Sequence, residues 1–99
     1  MAYAATKHKA VNHETKLLDD LGEVVRRRRL ALNLSQEELA FRAGVHRTYL
    51  SDIERGARNI TVTVLTRLAE ALELKVSRLF RLTELYKPDR AKARNGRAR

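Results

Sequence analysis

The sequence has no cysteine and no tryptophan, a single proline, and only three tyrosines and two phenylalanines in 99 residues. Without cysteine there is no disulfide framework, no thiol nucleophile and no thiolate set for a structural zinc, so packing alone must hold the core. No apolar run approaches the roughly 18 residues that span a bilayer, and no basic segment followed by an apolar one opens the chain. These absences predict a soluble, cytoplasmic protein with no membrane partner. The shortage of aromatics leaves little with which to stack unpaired bases, which argues against an RNA-binding role. His8 and His13 lie five apart and so on different helical faces, and Glu14 does not complete an H-E-x-x-H arrangement. No metal site, no cofactor and no catalytic group of nucleophile, base and orienting residue can be assembled, so an enzyme is not expected.

Acidic residues are also scarce relative to basic ones. The chain carries 21 Lys and Arg against 12 Asp and Glu, a net charge of +9, which predicts attraction to phosphate-rich surfaces, nucleic acid first. The charge is uneven. Residues 87–99 hold six basic side chains and one acidic one, and past Pro88 the run DRAKARNGRAR has no aliphatic residue larger than alanine. Such a segment has nothing to bury, and it reads as a basic disordered arm. Residues 1–20 read as a largely flexible extension, with Val11, Leu17, Leu18 and Leu21 as the residues that would carry the first helix backward. One domain remains, over residues 21–86.

Five short helices are predicted within it. Leu21, Val25 and Leu32 share one face of the first, with the arginine run 26–29 spread around it. Ser35 is a capping residue, Glu38 stands three positions later, and Leu34 and Leu39 flank the pair, which is the start signal for a helix over Gln36–Ala43. Gly44 tolerates the positive φ needed to end it. After a short turn, Tyr49, Leu50 and Ile53 mark a third helix over about 46–55. The run ITVTV, residues 60–64, alternates like a strand, but Val62, Leu65, Leu68, Ala69 and Leu72 keep a helical period behind the capping residue Thr61, so a fourth helix is expected. A fifth covers about Ser77–Tyr86. The fold class is all-α.

Two short helices joined by a glycine turn, the second polar on its outer face, form the helix-turn-helix pattern. The stretch LNLSQEELAFRAGVHRTYLSDIERGARNI resembles that motif in the phage lambda repressor and Cro group, the Xre-type bacterial regulators, and within it the controller proteins of restriction-modification systems. The resemblance covers roughly residues 21–82. It implies a five-helix lambda-repressor-like domain, sequence-specific binding to double-stranded DNA, and a symmetric homodimer on a roughly palindromic operator with half-sites about one turn apart.

A helix lying in the major groove presents its early residues to base edges, which makes Arg47 and Thr48 the best-placed readers: a rigid fork for guanine, and a hydroxyl or methyl for thymine. The resemblance extends the base-contacting set to His46, Arg47, Thr48 and Asp52. Asp52 either accepts from cytosine or holds Arg47 or Arg55 in place. Phosphate contacts are expected from Gln36 at the start of the second helix, and from Arg42, Ser51, Arg55, Arg58 and Asn59. The resemblance pairs Arg29 with Glu54 as a structural salt bridge, leaving Arg26 to Arg28 to a solvated face or to auxiliary phosphate contacts. Tyr49 either packs between helices or meets phosphate through its hydroxyl. Phe41 lies off the apolar stripe, as a core edge or a small interaction site.

The resemblance also places the dimer contact at the fifth helix, with Leu79 and Phe80 divided between core and interface and Leu82, Leu85 and Tyr86 at the interface. Where the family carries glycine after the fourth helix, this chain has Glu73, which puts the angle between helices four and five in question. With no additional ligand domain, no small-molecule effector is expected. The alternative is an antitoxin-like subunit whose extensions bind a protein toxin while the same fold binds DNA.

Overall fold

The computed structural model describes the backbone of residues 2–88 and the side chains of residues 15–88; the basic arm expected from residue 87 therefore lies, from 89 onward, outside the described residues. The chain forms five α-helices: α1 (Ala2–Ala31), α2 (Gln36–Ala43), α3 (Arg47–Glu54), α4 (Val62–Ala71) and α5 (Val76–Leu85). No strand occurs among the described residues. The boundary expected near residue 20 falls inside α1, which continues back to Ala2. Leu21, Val24 and Val25 then carry α1 into the core.

Local chemistry explains most helix ends. At α2, the Ser35 hydroxyl accepts from the Glu38 backbone N–H at 3.0 Å, and the Glu38 carboxylate accepts from the Ser35 N–H at 2.8 Å, closing the capping box. The bond from the Ser35 backbone is the main reason the Glu38 carboxyl is held below its usual range. Gly44 ends the helix at φ 69°, in the left-handed region where a side chain is disfavoured. The hydroxyl of Thr61 accepts from the Val64 N–H at 3.2 Å, and this cap turns the alternating run at 60–64 into the first turn of α4.

The core is assembled from all five helices. Val25, Leu39, Leu50, Leu68, Leu72 and Leu79 are fully enclosed, each contributing roughly 1.5–3 kcal/mol by leaving water. Helix α1 packs against α3 and α5, α2 against α3 and α4, and α4 against α5. At one crossing the backbones nearly touch: a Cβ on Gly22 would lie 2.4 Å from the Ile53 carbonyl oxygen and 2.6 Å from that of Glu54. Only glycine lets α1 come this close to the C-terminal end of α3. Val62 departs from the expected core stripe. As the first residue of α4 it faces outward and is 77% exposed, so the buried stripe begins at Leu65.

The turn after α4 resolves the question raised by Glu73. Its φ is 61°, and the flanking bonds, Leu74 N–H to Ala69 O at 2.8 Å and Glu73 N–H to Glu70 O at 3.0 Å, are those of a Schellman cap. The backbone thus takes the left-handed conformation that glycine favours at this position. Arg28 reinforces the same corner by donating from Nε to the Leu72 carbonyl at 2.9 Å. A side chain in this region costs about 1–2 kcal/mol, part of which glycine returns through a more flexible unfolded chain. Glu73→Gly is therefore expected to stabilise the fold by about 1 kcal/mol, seen as a higher urea midpoint at unchanged slope. A lower midpoint would mean that the Glu73 side chain supplies stability beyond its backbone strain.

Candidate nucleic-acid interface

Helix α3 buries Leu50, Ile53 and Glu54 and leaves Arg47 and Thr48 exposed. An acid among the buried residues needs partners, and it receives three hydrogen bonds from two side chains. Arg29 grips Glu54 through Nε at 2.7 Å and Nη2 at 3.0 Å, and Gln36 Nε2 donates to the same carboxylate at 2.9 Å. The remaining arm of Arg29 donates to the Leu34 carbonyl at 2.9 Å. Both charged groups are largely withdrawn from water, their side chains 10% and 3% exposed. Among the described residues no buried side-chain nitrogen or oxygen lacks a partner. This cluster ties the last turn of α1, the first residue of α2 and the last turn of α3 to one point.

Other placements differ from the sequence expectation in instructive ways. The side-chain amide of Gln36 is drawn inward to Glu54, so an anion at the start of α2 would meet main-chain N–H groups first. His46 is the N-cap of α3: its Nδ1 accepts from the Thr48 N–H at 3.1 Å. An accepting Nδ1 places the ring proton on Nε2. His46 is also exposed, and it combines a structural duty with a donor of fixed tautomer.

The four consecutive arginines of α1 separate into four environments. Arg26 lies 3.6 Å from Glu23. Arg27 is bonded to the same carboxylate at 3.0 Å and stands over the Tyr86 ring at 5.0 Å; the Glu23 bond is the main cause of its raised pKa. Arg28 closes the α4 corner and Arg29 holds Glu54. The reading of Arg28 as an auxiliary phosphate contact therefore gives way to a structural one, because its Nε is committed to a carbonyl 44 residues away.

The outer surface of α3 is more ordered than a solvated face requires. Asp52 pairs with Arg55 and, at 3.0 Å, with Arg58. Arg55 also donates to the Ser51 hydroxyl at 2.7 Å. Arg58 lies over the Tyr49 ring at 4.8 Å, and Tyr49 itself is half-buried against the core. Arg47 makes no hydrogen bond or ion pair among the described residues. Arg42, in the last turn of α2, and Asn59, in the α3–α4 connection, are both exposed. Phe41, 86% exposed, is solvated rather than a core edge.

The dimer set predicted on α5 is divided by the fold. Leu79 is fully buried in the protomer and has no surface to give a partner. Phe80 faces one flank, where it lines an apolar groove of about 180 Å³ with Leu17, Leu18, Leu21, Ile60 and Val62. Leu82, Leu85 and Tyr86 face the other, lining a hollow of about 390 Å³ with Val24, Arg27 and Arg28. A helix with apolar residues on more than two sides could not present them all to one plane. Among the described residues no helix is long and apolar enough to cross a membrane, and no group of His, Cys, Asp or Glu could hold a metal.

Comparison with known proteins gives a consistent answer. Residues 25–79 match the family described as Helix-turn-helix. The control protein C.BamHI of Bacillus amyloliquefaciens is 43% identical over 65 residues, which are 65% of this chain and 80% of that protein. Among solved structures, the restriction-modification controller protein C.AhdI from Aeromonas hydrophila aligns with a TM-score of 0.62 at 41% identity, covering 64% of this chain and 96% of that one. The controller protein C.Esp1396I, solved as a tetramer in complex with its natural 35 base-pair operator, aligns with a TM-score of 0.64 at 34% identity, covering 69% and 90%.

Proposed function

The chain belongs to the Xre-type helix-turn-helix family, alongside the restriction-modification control proteins, and from that membership we infer that it regulates transcription by binding operator DNA sequence-specifically. The observation that carries the reading furthest is the state of α3. Its inner face is bolted down through Glu54, while Arg47 and Thr48 stand exposed on its first turn, with Arg47 uncommitted among the described residues. Such a protein acts by occupying DNA, without bond-making chemistry of its own. The relatives give no support to the toxin-binding alternative.

Three residues are assigned to base edges. The guanidinium of Arg47 matches guanine O6 and N7, Thr48 offers a hydroxyl and a methyl, and the Nε2–H of His46 is a donor for a purine N7 or a phosphate. Phosphates are assigned to Arg55, Arg58, Arg42, Ser51 and Asn59, and to the main-chain N–H groups that open α2. Removing the Arg47 fork by Arg47→Ala is expected to cost roughly 1–3 kcal/mol on the specific site while sparing random DNA. Titration of both duplexes checks this, and equal losses on the two would remove Arg47 from base reading.

For the homodimer, the flank of α5 that carries Phe80 is the better face. Its groove is lined by aliphatic residues and Asn59, with Val62 at 77% and Phe80 at 41% exposure. The opposite hollow carries Arg27 and Arg28, and two-fold pairing there would bring like charges together. The Phe80 face also adjoins the segment that follows α3, so pairing through it fixes the distance between two recognition helices. Val62→Asp is expected to weaken dimerisation at least about tenfold in sedimentation equilibrium, and Leu85→Asp to leave it unchanged. The reverse pattern would move the interface to the Leu85 flank.

A further inference from the structure

Asp52 is out of place on a surface meant for phosphates. Helix α3 has two carboxylates; Glu54 is enclosed, and Asp52 sits on the outer side, one turn beyond Thr48. On charge alone it opposes DNA binding, and its loss would raise a net charge already at +9. Its contacts point elsewhere. The two carboxylate oxygens are used separately, Oδ1 by Arg55 and Oδ2 by Arg58. Each arginine has a second anchor of its own, the Ser51 hydroxyl for Arg55 and the Tyr49 ring for Arg58. The carboxylate is lodged between them at 19% exposure, while the arginine side chains remain 63% and 50% exposed.

We propose that Asp52 is a positioning residue: it joins Arg55 and Arg58 into a preformed phosphate clamp and does not itself read a base. The proposal rests on the DNA-binding reading above. Arg55 belongs to the end of α3 and Arg58 to the chain beyond Gly56, whose φ of 73° turns the backbone away from the helix. Free in solution, two long side chains on such different supports would sample many rotamers and lose that freedom on binding. A shared carboxylate holds both heads on one side of α3 before DNA arrives, with the N–H groups it does not use turned to solvent. Exposed ion pairs add little to stability, so the gain falls on recognition. Phosphate contacts at a fixed place set the register in which Arg47 and Thr48 meet the bases.

Charge and positioning predict opposite signs, so one substitution separates them. The full chain and its Asp52→Asn variant would be titrated against a duplex selected by the wild type from random DNA and against an unrelated duplex, with circular dichroism melts verifying the variant's fold. Positioning predicts that Asp52→Asn weakens binding to the selected duplex about tenfold or more and leaves binding to the unrelated duplex equal or tighter. Asp52→Glu restores part of the loss, and selection with Asp52→Asn returns the same preferred bases. In an Arg55→Ala/Arg58→Ala background the Asp52→Asn loss disappears. Equal tightening on both duplexes would make Asp52 a bare repulsive charge and overturn the proposal. A changed preference at one base pair would make it a reader, and a loss that persists without the two arginines would also overturn it. If the wild type itself selects no sequence, the DNA-reading function fails, a result distinguishable from failure of the clamp.

Discussion

A buried ion pair between Arg29 and Glu54 is the contact on which the rest of the molecule depends. Taking two charges out of water costs several kcal/mol per ion unless they are paired and fully hydrogen-bonded. Here Arg29 spends its donors on Glu54 and the Leu34 carbonyl, and Gln36 completes the acid. Removing either partner would strand the other, so the pair tolerates little relative movement of α1, α2 and α3. Gly22 makes the approach possible, since any side chain there would run into the Ile53 and Glu54 carbonyls. The two features act together: contact between backbones sets the distance, and the ion pair sets the orientation.

The arginines can be understood from that anchor outward. Those of α1 are taken up by Glu23, the Tyr86 ring, the Leu72 carbonyl and Glu54, so a run that looks like a nucleic-acid patch is largely structural. Past α3, Arg55 and Arg58 are gathered on Asp52. Arg47 is held by none of these, and it stands on the first turn of a helix whose other end is fixed. A large positive charge draws the protein to DNA without choosing a sequence. On the proposed reading, the choice of sequence rests on the exposed Arg47 fork, carried by a helix with a rigid support.

Much of this was legible in the sequence because it is local. The capping box at Ser35 and Glu38, the positive φ at Gly44 and the Thr61 cap follow from residues three or four positions apart, and α2 has the bounds its start and stop signals predict. The Arg29–Glu54 pair, 25 residues apart, was accessible only through family resemblance. The bonds from Arg28 to Leu72 and from Gln36 to Glu54 were not accessible at all, because periodicity says which residues share a face and not what another helix lays across it. The same limit explains Leu79 and Val62. Both look apolar and therefore equivalent in the sequence, yet one is enclosed within the protomer and the other lies on its surface. Asp52 and Arg55, three apart, were visible as a pair; the inclusion of Arg58 depends on the turn at Gly56.

On this reading the Arg29–Glu54 pair aims α3 and does more than stabilise the fold. Replacing both charges by apolar residues of similar size is often neutral in stability, so Arg29→Met combined with Glu54→Leu separates aim from stability. The decisive measurement is the ratio of affinities for the selected operator and for random duplex in that double variant, taken where it is fully folded. A ratio reduced at least about tenfold, with random-duplex affinity retained, is expected. An unchanged ratio in a folded double variant would show that packing alone aims the helix, and would contradict this reading.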